Sequence, residues 1–275
     1  MKTKYTIAII VILTLVLILL TCGESIVNQA TFFPEKGTVI DLERLPPSIK
    51  HYYIETPDGE QLSAFYVPRL DADKSLLYFH GNAGNASQRI QLAVDLAKLK
   101  SNVLLIDYRG YGLSSGSPSE AGIYIDGRAA LDFLINEVQV DTNTIFLYGR
   151  SLGSAVAVEI SKDMTFAGMI LATPISSGAN VAANTGLESA SSIIGNPFNN
   201  LAKIPDFTAP ILIIHGDLDQ VLPITMGRAL EQAATAPVRF VEVPGAGHND
   251  IIVRNKRRFY SEINTFCADV LADKF

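Results

Sequence analysis

The sequence predicts an α/β fold: a mostly parallel central sheet of about eight strands, with helices on both faces and a small lid. Three observations carry this reading. Strand-like and helix-like patterns alternate from about residue 50 to the C-terminus. Runs such as Val103-Leu104-Leu105-Ile106 and Ile211-Leu212-Ile213-Ile214 are continuously apolar, as strands covered on both faces are. Three such runs lead directly into glycine-bearing turns, at His80-Gly81, Gly149 and His215-Gly216.

The elements follow in order. Residues 25–47 read as irregular, broken by Pro34, Pro46 and Pro47. His51 to Thr56 and Leu62 to Val67 read as a hairpin, because Pro57-Asp58-Gly59 between them has turn chemistry. A strand is predicted from Ser75 to His80. A helix is predicted from Ser87 to Leu99, on the spacing of Ile90, Val94 and Leu96. A strand at Val103 to Asp107 precedes a long helix, Ser119 to Val138, with Ser119 as N-cap. Then come a strand at Ile145 to Tyr148, a helix at Gly153 to Lys162 and a strand at Gly168 to Ala172. The last third gives a strand at Ile211 to His215, a helix at Thr225 to Ala234 and a strand at Val238 to Val243. One unbroken helix is expected from Ile251 to Asp273.

Residues 175–205 break the rhythm. From Ile175 to Asn200 the only charge is Glu188. Long excursions in compact domains often serve as lids. Leu187, Ala190, Ile194 and Leu201 share one helical face, so a small lid is expected here. No internal repeat and no second folded domain are visible, so residues 23–275 read as one domain.

Residues 1–22 have a different character. Lys2 and Lys4 precede the run Ile7 to Leu20, which is apolar apart from Thr14. That is the layout of a secretory signal. Leu19-Leu20-Thr21-Cys22-Gly23 resembles a bacterial lipoprotein signal, with Thr21 where a smaller residue is usual. Cys22 is then the candidate for lipidation. The alternative is a retained anchor, since a helix from Tyr5 to Thr21 would span roughly 25 Å of a ~30 Å bilayer core. Either way the chain is expected to be membrane-associated through its N-terminus. The domain would face outside the cytoplasm, towards a bacterial periplasm or cell envelope, because Lys2 and Lys4 stay inside.

Composition removes several function classes. With 48% hydrophobic and 18% charged residues, the chain is not intrinsically disordered. Its 22 basic residues against 28 acidic ones leave a net charge of −6, the wrong sign for a nucleic-acid binder. Two cysteines, Cys22 and Cys267, cannot make a disulfide framework or a four-ligand zinc site. No H-E-x-x-H or comparable spacing suggests a metal hydrolase.

Gly149-Arg150-Ser151-Leu152-Gly153 fits G-x-S-x-G, and its context is right. An apolar strand runs into it, and the small-residue helix beginning Ser154-Ala155-Val156 leaves it. Such a turn lifts a serine hydroxyl above the sheet edge, so Ser151 is the candidate nucleophile. A serine needs a positioned base. Of four histidines, His51 has no site context, and His80 and His215 end apolar strands, where they would orient loops. His248 follows the last strand in the flexible sequence Pro244-Gly245-Ala246-Gly247-His248 and is the candidate base. The acid that fixes its tautomer comes from His215-Gly216-Asp217-Leu218-Asp219. Asp219 sits deeper in that loop and is preferred; Asp217 would then cap the loop. For the oxyanion, the candidate donors are the Leu152 N–H and the Asn82 N–H, with Ala83 as second choice.

Taken together, these motifs identify a resemblance. Tyr78-Phe79-His80-Gly81-Asn82-Ala83-Gly84-Asn85, Asp107-Tyr108-Arg109-Gly110-Tyr111-Gly112-Leu113-Ser114, Tyr148-Gly149-Arg150-Ser151-Leu152-Gly153, His215-Gly216-Asp217-Leu218-Asp219 and Gly247-His248-Asn249-Asp250 appear in order. The chain resembles the α/β-hydrolase superfamily, and within it the small abhydrolase-domain branch related to depalmitoylases. The resemblance implies hydrolysis of small-molecule or acyl esters, or thioesters, through an acyl-enzyme and without a cofactor. Two departures stand out: the lid is polar and rich in small residues, and the chain has no Trp. A peptidase on the same fold, or an idle binding protein that keeps it, are the competing readings.

Overall fold

The computed structural model describes residue 28 and residues 31–186 and 196–275. Two compact units emerge, Met1–Phe33 and Pro34–Phe275; the architecture below is that of the second. The expectations for residues 1–22, including Cys22, lie outside the described residues. Among the described residues, no helix is long and apolar enough to cross a membrane.

Eight strands form one sheet: β1 (Lys50–Glu55), β2 (Gln61–Val67), β3 (Lys74–Phe79), β4 (Ser101–Ile106), β5 (Ile145–Arg150), β6 (Gly168–Ala172), β7 (Ile211–Gly216) and β8 (Val238–Val243). Their order is β1-β2-β4-β3-β5-β6-β7-β8. β1 pairs antiparallel with β2, and β2 antiparallel with β4. All later pairings are parallel. Every residue of β3, β6 and β7 is buried, as the apolar runs at their centres require. Lys74 is tolerated at the start of β3 because its Nζ donates to Leu99 O at 2.6 Å and pairs with Asp73 at 2.7 Å.

The helices match the alternating pattern, with two instructive differences. Helices α1 (Ile90–Ala97), α2 (Glu120–Asn136) and α3 (Gly153–Ile160) follow β3, β4 and β5. Ser119 caps α2, its hydroxyl accepting from Gly122 N at 3.0 Å. The first turn expected for α1 is instead a 3-10 turn, Ala86–Arg89. The expected C-terminal helix is broken at Asn255, whose φ of −148° and ψ of 64° are not helical. Its side chain accepts from Arg258 N, so it starts a new helix rather than continuing the old one. The result is α7 (Ile251–Arg254) and α8 (Lys256–Leu271), after α6 (Ile224–Ala233).

The lid region, as far as it is described, holds α4 (Gly178–Asn184) and α5 (Asn200–Lys203). Leu187, Ala190 and Ile194 of the expected helical face lie outside the described residues. The two ends of the segment are stitched together. Gly178 N donates to Pro197 O at 2.6 Å, Ala179 N to Asn196 Oδ1 at 2.9 Å, and Leu201 N to Ser176 O at 3.1 Å. Asn200 Nδ2 adds a bond to Ile175 O at 2.8 Å. A side chain at 178 would meet Pro197 at 2.6 Å, so this closure needs glycine. Phe198 is buried, and its N–H donates to Glu120 of α2.

Candidate active site

The candidate residues converge at the C-terminal ends of the parallel strands, where open α/β sheets hold their ligands. Ser151 stands between β5 and α3 with φ of +51°, a left-handed conformation rare for a residue with a side chain. Neighbouring contacts enforce it. Ser151 N donates to Ala172 O at the end of β6, at 3.0 Å. Ser154 N and Oγ both donate to Ser151 O, at 2.9 and 2.6 Å. The flanking glycines are required by space: a Cβ at 149 would lie 2.6 Å from Gly153 O, and one at 153 would lie 2.0 Å from Phe79 O on β3. The two small residues therefore let strand and helix pass closely enough to hold the serine out of the sheet.

His248 arrives on the loop after β8. Arg150 Nη2 donates to its carbonyl at 3.2 Å. Asp250 accepts from Gly247 N at 2.6 Å and from Arg254 Nε at 2.7 Å, closing the loop beyond. The His248 Nε2 lies 3.0 Å from Ser151 Oγ, and Nδ1 lies 2.8 Å from Asp219 Oδ2. A carboxylate only accepts, so Nδ1 carries the proton and Nε2 is left to accept from the serine hydroxyl.

Asp219 is buried at 5% exposure, and all four of its closest polar neighbours are donors. Oδ1 accepts from Val221 N at 2.9 Å and Leu222 N at 2.8 Å. Oδ2 takes His248 Nδ1 and lies 3.4 Å from His215 Nε2. Burial works to raise its pKa, but hydrogen bonds from His215 and His248, the electrostatic attraction of His248 and the Leu222 N–H outweigh it. The carboxyl is held well below the usual carboxylate range and stays ionised. Asp217 takes the role expected of the other acid: its Oδ1 accepts from Gly245 N at 2.7 Å and caps the loop that carries His248.

The loop after β3 runs beside the serine. A Cβ on Gly81 would sit 3.4 Å from Ser151 Cβ. His80 orients this loop, as its position suggested, donating from Nδ1 to Gly81 O at 2.7 Å. Burial lowers the pKa of the His80 imidazole, which keeps the ring neutral. Asn82 follows Gly81, and its Oδ1 accepts from Tyr111 Oη at 2.8 Å. Tyr108 Oη donates to His80 O at 2.8 Å, and the His80 ring packs 4.6 Å from that of Tyr108. Leu152, the other candidate oxyanion donor, immediately follows Ser151 at the start of α3, where the helix terminus favours negative charge.

Four of these contributors escape a reading of the bare sequence as site residues: Tyr108, Tyr111, Arg150 and the approach of His215 to Asp219. The tyrosines belong to a loop that was visible only as part of the resemblance. Their available signal was two phenols directly after an apolar strand. Arg150 was visible only as the variable residue of the pentapeptide. His51 lies apart, its Nε2 2.9 Å from Ser63 Oγ within the hairpin. Cys267 is fully buried, and burial pushes its thiol up to about 12, consistent with packing.

Comparison with known proteins bears on this geometry. Residues 71–203 match the model of the hydrolase family described as serine aminopeptidase, S33. An uncharacterized protein of Mycobacterium tuberculosis is 35% identical over 245 residues, covering 88% of this chain and 87% of its own. Human α/β-hydrolase domain-containing protein 17B is 31% identical over 234 residues, covering 84% of this chain and 80% of its own. Among solved structures, an esterase of Pyrococcus furiosus superposes with a TM-score of 0.67 at 20% identity, over 88% of this chain and 98% of its own. The chain belongs to the α/β-hydrolase superfamily and is related to its abhydrolase-domain proteins.

Proposed function

We propose that this hydrolase is a serine enzyme that cleaves carboxylic esters or thioesters through an acyl-enzyme. The observation that carries the reading is the hydrogen-bonded line from Ser151 Oγ through His248 to Asp219, at 3.0 and 2.8 Å. Ser151 attacks the acyl carbon while His248 Nε2 takes its proton. The same imidazolium then protonates the leaving oxygen or sulfur. Asp219 holds the ring in the required tautomer and stabilises its charged form. The N–H groups of Leu152 and Asn82 receive the oxyanion, each contributing about 2.7–4 kcal/mol in comparable sites. Water repeats the sequence on the acyl-enzyme and frees Ser151.

A fluorophosphonate probe tests this directly. Covalent labelling of the wild type, absent from Ser151→Ala, is the expected result. A folded wild type that takes no label would sink the reading and favour an idle binding protein. The description of the matched family as an aminopeptidase supports one alternative, and aminoacyl p-nitroanilides tested beside p-nitrophenyl esters separate the two.

The described part of the lid region favours short to medium acyl chains. Helix α4 buries none of its residues, and the side chain of Phe198 is sealed within the protein. An acyl chain gains about 0.8 kcal/mol for each methylene it buries, and the described residues of the lid offer it little apolar cover. With p-nitrophenyl esters of increasing length, kcat/KM should peak early and fall for long chains. A maximum at palmitoyl or beyond would overturn this.

The N-terminal segment extends the proposal to location. Full-length protein should sediment with membranes, and a chain starting near Glu24 should remain in the supernatant. A truncated protein that still sediments would point to another membrane-binding surface.

A further inference from the structure

The loop that presents Asp219 is locked from below by His215, the penultimate residue of β7 and fully buried. Its Nε2 donates to Leu222 O at 2.8 Å and lies 3.4 Å from Asp219 Oδ2. Both neighbours are acceptors, so Nε2 carries a proton. The opposite nitrogen, Nδ1, is buried and has no hydrogen-bond partner. It faces Gly227 of α6, where a Cβ would stand only 2.6 Å away. The niche admits the ring in one place and serves one nitrogen of it.

We propose that His215 is a positioning residue of the hydrolytic site: its Nε2–H constrains the Asp219 carboxylate and so sets how strongly Asp219 draws on His248. This rests on the reading of Ser151, His248 and Asp219 given above. Two backbone N–H groups already fix Oδ1. Oδ2 is the oxygen bonded to His248, and the His215 Nε2–H, bonded to Leu222 O at 2.8 Å, stands beside it at 3.4 Å. A second donor spreads the carboxylate charge and makes Oδ2 a weaker acceptor. The pull of Asp219 on the His248 ring is thereby moderated. Leu222 completes the device, because its N–H binds Asp219 while its carbonyl binds His215. Movement of the His215 ring therefore displaces both the carboxylate and the loop.

The other charged groups around this line are already committed. Arg150 on β5 bonds the His248 carbonyl. Asp250 holds Gly247 and Arg254, and Asp217 holds Gly245. Arg228 of α6, next to Gly227, pairs with Glu231 and with Glu242 of β8. None of these bonds involves His215.

The test compares full-length wild type with His215→Leu, His215→Gln and Gly227→Ala. Readouts are kcat, KM and the pH profile of kcat/KM on a short p-nitrophenyl ester, and the low-field proton resonance of His248 Nδ1–H without substrate. His215→Leu should lower kcat about tenfold or more with KM little changed, because the loop that presents Asp219 loses its bond at Leu222 O and the carboxylate its fixed place. It should also move the acid limb to higher pH by about half a unit, because a more basic Oδ2 holds the imidazolium longer. His215→Gln, which keeps an N–H donor, should recover part of the loss. Gly227→Ala keeps every donor but displaces the ring, and should shift the limb in the same direction. An unmoved limb, a change confined to KM, or a Gln variant no better than Leu would overturn the proposal. If the wild type hydrolyses no ester, the reading of the site fails by itself. The resonance still decides about His215: a shift in the Leu variant supports it and an unmoved line refutes it. Should His215→Leu not fold, His215→Asn, too short to reach Asp219, replaces it with the same outcomes.

Discussion

Ser151→Ala should remove all but a trace of turnover and leave the fold intact. The serine hydroxyl is positioned to give its proton to His248 Nε2, 3.0 Å away. On the proposed mechanism no acyl-enzyme forms without it. Losses of about 10⁴-fold or more accompany removal of a nucleophile from such a constellation, which is roughly 5.5 kcal/mol of barrier. Stability should barely change. The left-handed backbone at 151 costs serine and alanine alike, and the bonds that hold the turn run through the main chain, at Ser151 N and Ser151 O. Thermal unfolding should stay within a few degrees of wild type while the hydrolysis rate collapses. A folded variant that keeps more than a few per cent of turnover would show that another group is the nucleophile.

Asp219→Asn should cost almost as much, and Asp217→Asn very little. The two acids stand two residues apart and differ in what they hold. Asp219 accepts the Nδ1 proton of His248, whereas Asp217 accepts a single N–H from Gly245. An amide at 219 cannot stabilise an imidazolium. It can also present its own N–H to Nδ1, which forces the ring into the tautomer with the proton on Nε2, where the serine must donate. A loss of about 10⁴-fold in kcat is the expected scale. At 217 an amide oxygen can still accept from Gly245, so a change within about tenfold is expected. Side-by-side kcat measurements decide the matter; reversed severity would mean that the carboxylates were assigned the wrong way round.

Much of this was legible from the sequence because local chemistry and global fold agree. The strands β6 and β8 begin and end where the sequence pattern places them, β6 as a fully buried apolar run and β8 as a partly exposed edge strand that carries Arg239 and Glu242. Ser151 was readable because a strand, two obligatory glycines and a small-residue helix occur together within a dozen residues. His248 and Asp219 were readable from their places after the last two strands. What escaped depends on contacts between distant segments. Tyr111 meets Asn82 across 29 positions, and Arg150 meets His248 across 98. No periodicity encodes such pairs. The break at Asn255 lies in the polar stretch Arg254 to Arg258, where no apolar residue marks a boundary, and it is made by one side chain that caps a new helix.

The stitching of the lid region at its base has an evolutionary reading. Gly178 and Pro197, Ala179 and Asn196, Ser176 and Leu201 tie the two ends of the segment together. The chain between these pairs is therefore a cassette. Its ends are fixed by bonds that do not depend on what lies between them, and doubling a flexible loop costs only about 0.6 kcal/mol of closure entropy. Insertions, deletions and wholesale replacement can accumulate there while the loops bearing Ser151, Asp219 and His248 keep their geometry. Selection can thus alter what is admitted to the site without renegotiating the chemistry, so related chains with the same hydrogen-bonded line can diverge in diet.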